Sequence, residues 1–342
     1  MCYSTAMRFF PIFGKTPAGS QFQNLTKTPA FPKGLNPFQM LKEIIFGRSK
    51  RSRPRDIIPS VKTDLLHLDL GENILVWFGH SSYFIQIDGK RILVDPVFCG
   101  HASPFPWMIQ SFAGTDIYSA KNSNSDIPDI DYLFITHDHY DHLDYKTIVA
   151  LKPKIKQVIT GLGTGSHLKY WGYAPEIIIE KDWDEEIILD DDFIVHTAPT
   201  RHFSGRLQRK RTQWTSFVLQ TPTIKIYIGG DSGYDTHFKT IGDTFGPFDL
   251  AILECGQYSK FWPYIHMQPE QTVQAALDLR AKKLIPVHWG KFSLAQHAWD
   301  EPIRRVTDIA KEKRVELVTP MIGQKVKLQG ENVFERWWEK IG

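Results

Sequence analysis

The run Thr136-His137-Asp138-His139-Tyr140-Asp141-His142 places three imidazoles and the Asp141 carboxylate within six residues, directly after an apolar stretch. Residues two apart in an extended chain point the same way, so His137 and His139 can converge on one cation. If the chain then turns into a helix near Leu143, Asp141 and His142 are aimed at a different point. Nitrogen ligands joined by one hard oxygen suit zinc, with iron and manganese as alternatives. A lone histidine reads as a satisfied surface or core side chain; four such groups in one run read as metal ligation.

Delivering these groups to one place requires a rigid scaffold, and the chain from about residue 64 is strand-rich. Apolar or alternating runs at 75–78, 83–87 and 91–94, with the turn pair Asp88-Gly89 between the last two, predict an antiparallel start. Further strands are predicted at 132–136, 157–160, 177–180, 193–197, 214–219, 225–228, 250–253, 283–287 and 315–318, and helices at 143–151, 271–280 and 303–311. Many strands interrupted by single helices imply an α/β fold with two sheets packed face to face and helices outside.

The 342 residues carry 41 basic and 38 acidic side chains, a net charge of +3, which argues against a dedicated nucleic-acid binder. Cys2, Cys99 and Cys255 are too scattered for a disulfide framework or a cysteine metal knuckle. That usage fits a reducing compartment, and the chain has neither a spanning apolar stretch nor a secretory leader, so a cytoplasmic protein is expected.

Residues 1–63, broken by prolines such as Pro11, Pro29, Pro32 and Pro54, read as an arm rather than a domain, followed by one body over 64–342. Within the arm, Phe38, Leu41, Ile44, Ile45 and Phe46 precede Arg48, Lys50, Arg51, Arg53 and Arg55. An apolar anchor beside a basic cluster is one recipe for peripheral contact with an anionic membrane; a solvated charge run is the competing reading.

The His-x-His-x-Asp-His pattern after a strand resembles the metal signature of the metallo-β-lactamase superfamily, and the likeness runs over roughly residues 64–330. It implies an αββα four-layer sandwich of two mixed β-sheets flanked by helices. It also calls for a later histidine, aspartate and histidine at strand ends, matched by His202, Asp231 and His288. By this resemblance His137, His139 and His202 hold a first zinc, Asp141, His142 and His288 a second, and Asp231 spans both. Gly229 and Gly230 would let the backbone come close to the metals. His80 and Asp95 are expected to orient the ligands. Two metals roughly 3.5–4 Å apart make hydrolysis the expected chemistry.

The segments around His137, Asp231-Ser232-Gly233-Tyr234, Phe245-Gly246-Pro247-Phe248 and His288-Trp289-Gly290-Lys291-Phe292 are similar to the N-acylphosphatidylethanolamine-hydrolysing phospholipase D group and its bacterial relatives. That likeness implies a phospholipid phosphodiester substrate, a homodimer and a role for His266 near the substrate phosphate. Phe203 stands where that group suggests tryptophan, and Glu254-Cys255-Gly256 replaces a more apolar stretch.

Arg201, Arg206, Arg209, Lys210 and Arg211 surround His202 in sequence, and guanidinium forks match phosphate oxygens. The candidate catalytic residues are Asp141, Asp231 and His266; the candidate substrate-binding residues are Tyr140, Arg201 and His266. The aromatic residues between Tyr258 and Tyr264 would form an acyl-chain lip if exposed and core if buried. Two other classes compete. One is a hydrolase of the same fold acting on a lactone, sugar phosphate, cyclic nucleotide or RNA. The other is a non-enzymatic metal-dependent regulator, which the completeness of the ligand set disfavours.

Overall fold

A computed structural model describes residues 21–29, 42, 47–121, 125–190, 192–205 and 210–342. The apolar anchor at 38–46 and the arginines at 206 and 209 lie outside the described residues.

Among the described residues the strands form two seven-stranded mixed sheets. The first runs β14-β1-β2-β3-β4-β5-β6, with β1 Ile74–Trp77, β2 Tyr83–Ile87, β3 Lys90–Val94, β4 Ile130–Ile135, β5 Ile155–Gly161, β6 Ile178–Lys181 and β14 Lys325–Lys327. The second runs β13-β12-β11-β10-β9-β8-β7, with β7 Glu186–Asp190, β8 Phe193–Pro199, β9 Thr215–Gln220, β10 Lys225–Ile228, β11 Phe248–Glu254, β12 Ala281–Val287 and β13 Glu316–Leu317. In each sheet some neighbours pair antiparallel and others parallel, most of the parallel ones through helical crossovers.

Side-chain alternation along the strands builds the layers. Leu75, Trp77, Ile85, Ile87, Val94 and Phe134 face the second sheet and pack with Phe217, Ile226, Ile228 and Ile252. Their neighbours Ile74, Val76, Phe84, Leu93 and Leu133 face the other way. There they meet Ile148 and Leu151 of α1 (Tyr145–Leu151) and Leu168 of α2 (Gly165–Tyr170). Burial on both faces is why these strands read as nearly continuous apolar runs rather than strict alternations. Helices α3 (His237–Phe245), α4 (Pro269–Asp278) and α5 (Glu301–Lys313) contribute Phe238, Val273 and Val306 to the larger core. The result is the four-layer αββα sandwich expected.

Helix α1 begins two residues later than the apolar spacing suggests, because Asp144 caps it by accepting hydrogen bonds from the Lys146 and Thr147 amides. Two short edge strands, β7 and β14, and helices α2 and α3 were not predicted. Polar or exposed residues dominate the edge strands, which removes the periodic signal.

The chemistry-bearing residues follow the C-terminal ends of strands that lie side by side. His80 follows β1, Asp95 follows β3, the histidine run follows β4, Asp231 follows β10 and His288 follows β12. The pairing Val94↔Phe134 and Glu254↔Val287 aligns those ends at one rim of the sandwich.

Candidate metal centre

Eight side chains drawn from between residues 80 and 288 meet at this rim. His137, His139, His202 and Asp231 bring one potential ligand atom each within 4.8 Å of one another, and His80, Asp141, His142 and His288 form a second such group. All eight are buried. Asp231 joins the two groups: its Oδ2 lies 3.7 Å from His137 Nε2 and 3.6 Å from His202 Nε2. Its Oδ1 lies 3.2 Å from His142 Nε2 and 3.1 Å from His288 Nδ1.

The donor set fits cations in chemical type. His142 Nε2, His288 Nε2 and Asp231 Oδ1 are shielded from solvent yet make no hydrogen bond, a cost that coordination would remove. Burial pushes the His137 and His288 imidazoles well below their ordinary range, favouring the neutral form a metal requires. Burial pushes Asp231 up, but His142 and His288 outweigh it and hold the carboxyl well below the usual carboxylate range.

Outer partners fix the rings. Asp95 Oδ2 lies 2.7 Å from His142 Nδ1, and its two oxygens accept from the Thr136 amide and hydroxyl at 2.9 and 2.6 Å. His80 Nε2 lies 3.0 Å from Asp141 Oδ2. Ser81 Oγ lies 2.9 Å from His288 Nδ1, and His202 Nδ1 faces the Ile265 carbonyl at 2.9 Å, leaving Nε2 toward the cluster. His80, Asp95 and His288 all have positive φ, at 53°, 41° and 67°. Backbone strain of this kind gathers where tertiary contacts hold functional side chains in place.

Gly229 and Gly230 stand where the backbone comes close to its protein neighbours. A Cβ on Gly229 would sit 2.8 Å from the Ile252 carbonyl oxygen, and one on Gly230 2.9 Å from Thr136 Cβ. They let the Asp231 strand end nest against its neighbour and against the base of the histidine run.

His266 stands beside the centre, its ring 5.1 Å from those of His202 and His288. Its Nδ1 is 2.5 Å from Oε2 of the fully buried Glu254, whose Oε1 accepts from the Ser232 and Met267 amides. Burial raises Glu254 to about 7, and Glu254 in turn outweighs burial to raise His266. The Glu254 that looked like a departure in the sequence is thus the carboxylate that orients His266.

A cavity of about 750 Å³ opens onto the centre. Asp141, Asp231, His202 and His266 form its floor, and Tyr140, Trp262 and Lys210 stand in its wall. Its outer wall includes Pro104, Phe105 and Met108. Phe105 and Met108 are about half exposed, and Trp107 beside them is 72% exposed and stacked on Phe105 at 5.2 Å. The segment 104–108, interrupted by Pro104 and Pro106, carried no periodic signal. Of the aromatic segment 258–264, Tyr258 and Phe261 are core and Trp262 lines the cavity.

Arg201 does not line the cavity. Its guanidinium bonds Thr28 Oγ1 and the carbonyls of Lys27 and Tyr234, and lies 4.7 Å from the Tyr264 ring centre. The basic cluster of the arm is likewise tied to the body: Arg51 pairs with Asp300 at 2.5 Å, Arg53 donates to the Gln110 and Ser111 carbonyls, and Arg48 to that of Ser293.

Comparison with known proteins agrees with this architecture. A sequence profile described as the beta-lactamase superfamily domain matches residues 90–289. An uncharacterized protein of Mycobacterium tuberculosis is 37% identical over 93% of this chain and 85% of its own length. The N-acyl-phosphatidylethanolamine-hydrolyzing phospholipase D 1 of Caenorhabditis elegans is 30% identical over 69% of each chain. Among solved structures, the metallo hydrolase Igni18 of Ignicoccus hospitalis superimposes with a TM-score of 0.55 at 18% identity, covering 74% of this chain and 97% of its own. With a profile match spanning more than half its length, on the same paired mixed sheets, the chain belongs to the β-lactamase superfamily, in its metallo-β-lactamase fold.

Proposed function

We propose that this superfamily hydrolase is a binuclear phosphodiesterase of phospholipase D type, releasing an N-acylethanolamine from an N-acylphosphatidylethanolamine. The observation that carries the reading is the cavity: a largely apolar chamber that opens onto the His/Asp cluster and whose lining includes the half-exposed Phe105 and Met108, with the exposed Trp107 stacked on Phe105. Such a chamber suits a ligand with long acyl chains and one charged group. The relative in Caenorhabditis elegans, which carries that activity in its name, supports the same substrate class.

His137, His139 and His202 would hold one zinc and Asp141, His142 and His288 the other, with Asp231 touching both. Two divalent cations held there would supply Lewis acidity, lowering the pKa of a water and polarising a phosphoryl oxygen. Asp231, kept ionised by its imidazole neighbours, or Asp141 takes the proton of the attacking water. His266, oriented by Glu254, would stabilise the charge that builds on the phosphate and give a proton to the leaving alkoxide. Lys210 supplies a cation in the cavity wall, and Tyr140 a phenol at its edge.

The test is to incubate the zinc-loaded protein with N-acylphosphatidylethanolamine vesicles and, separately, with bis(p-nitrophenyl) phosphate and a lactone. Release of N-acylethanolamine from vesicles is the expected result. Turnover of the lactone or the soluble diester with none from vesicles would make the protein a hydrolase of the same fold acting on another ester.

A further inference from the structure

His202 lies just beyond β8, among residues 200–205 that belong to neither strand nor helix. Its backbone therefore has no sheet ladder to hold it, although its ring must be placed to within a fraction of an ångström to serve a cation. The hold comes from the far N-terminal part of the chain. Asn24 Nδ2 donates to the His202 carbonyl at 2.9 Å, and the His202 amide donates to Asn24 Oδ1 at 3.0 Å. The same Oδ1 accepts from the indole Nε1 of the buried Trp214 at 2.9 Å. One carboxamide thus grips both faces of the His202 backbone and fastens it to the first residue before β9.

The neighbouring residues repeat the attachment. Phe22 donates its amide to the Lys210 carbonyl at 3.1 Å, and the Arg201 guanidinium bonds Thr28 Oγ1 at 3.0 Å and the Lys27 carbonyl at 3.3 Å. Asn24, Thr28 and Pro29 stand in the wall of the cavity beside Phe203 and Lys210. Holding a segment 178 residues away in sequence against one loop is entropically unfavourable. Several contacts converge there, and they converge on the peptide of a candidate ligand.

We infer that residues 22–29 are a built-in part of the active centre and that Asn24 is a positioning residue for His202. The Ile265 carbonyl fixes the His202 ring through Nδ1 while Asn24 fixes its backbone, so the two together aim Nε2. This rests on the proposed role of His202 as a metal ligand.

The experiment uses the full chain with Asn24→Ala, Asn24→Asp and, as a control remote from the centre, Asn73→Ala, which breaks the Asn73–Asp88 contact. Zn²⁺ affinity is read by competition with a chromophoric chelator, and ligand geometry by the visible absorption of the Co²⁺-loaded protein. In Asn24→Ala one of two metal equivalents weakens by about 10- to 100-fold, the usual loss when a partner orienting a ligand is removed, and the Co²⁺ spectrum changes. Asn24→Asp keeps the acceptor for His202 N–H and Trp214 but loses the donor, so it falls between Asn24→Ala and the unaltered chain. Asn73→Ala matches the unaltered chain. If Asn24→Ala does not fold, Asn24→Asp carries the same readouts. Two equivalents bound at unaltered affinity with an unaltered Co²⁺ spectrum, in whichever variant folds, would overturn the role of Asn24. An unaltered chain that takes up no metal would instead overturn the ligand reading of His202, and the inference with it.

Discussion

Asp231 is the side chain on which both halves of the centre depend, because its two oxygens face different groups: Oδ2 toward His137 and His202, Oδ1 toward His142 and His288. An amide keeps the shape but removes the charge and offers an NH₂ to one of the two groups. Losing a mere orienting partner costs about 10- to 100-fold, so losing this carboxylate should cost at least about a hundredfold. Asp231→Asn is therefore expected to lose turnover by that factor or more and to retain at most one metal equivalent by elemental analysis, while its circular dichroism stays that of the folded chain. An Asp231→Asn protein with near-normal activity and both metals would contradict the scheme. The residues of the His/Asp cluster were legible in the sequence through the spacing of the histidine run and its resemblance. Glu254 and Ser81 were not, because a carboxylate at a strand end or a serine in a turn has no distinctive neighbour in sequence.

At the level of elements, the site depends on how α3 and α4 close over the second sheet. A Cβ on Gly242 of α3 would lie 2.0 Å from the Asp278 carbonyl oxygen at the end of α4, a backbone atom that cannot move aside cheaply. Gly242→Ala should destabilise the protein by about 1–3 kcal/mol, measured by urea denaturation, despite alanine's better helix propensity. His237, the first residue of α3, adds a pH dependence. Burial pushes its imidazole down from 6.5 to about 3, and its Nε2 lies 3.2 Å from Ser232 Oγ. Between those two pH values the unfolded chain binds a proton that the folded chain refuses. Stability thus falls on acidification through that window, by up to about 1.4 kcal/mol per pH unit for this group. His237→Gln removes the term while the other buried imidazoles contribute equally to both proteins. The gap in melting temperature between His237→Gln and the unaltered chain should therefore narrow as pH falls from 7 toward 4.5; a constant gap would show that His237 titrates as it does in the unfolded chain.

For the molecule as a whole, the mouth of the cavity is the surface that would meet a substrate held in a bilayer. No described helix is long and apolar enough to cross a membrane. Phe105, Trp107 and Met108 nonetheless present apolar side chains beside the opening. Removing two exposed aromatics from an interfacial contact should weaken vesicle partitioning roughly in proportion to the apolar area lost. Phe105→Ser combined with Trp107→Ser should lower sedimentation with anionic vesicles and activity on them by about tenfold or more, while hydrolysis of a soluble diester stays within about twofold. Equal losses on both substrates would mean that the rim shapes the chamber rather than meeting a membrane.

What the sequence determined by itself was whatever depends on near neighbours. The histidine run, the strands whose apolar residues fill both faces of a sheet, and the family resemblance are all written in residues close along the chain. The partnerships that finish the site were decided only by the tertiary structure. Ser81 meets His288 across 207 residues, and Asn24 meets His202 across 178. Arg201, which reads as a phosphate ligand beside His202, is turned instead to Thr28 and Lys27. Local propensity carries no information about such pairs. They exist because the packing of two sheets brings strand ends and the arm to one rim, where each buried polar group must find its partner.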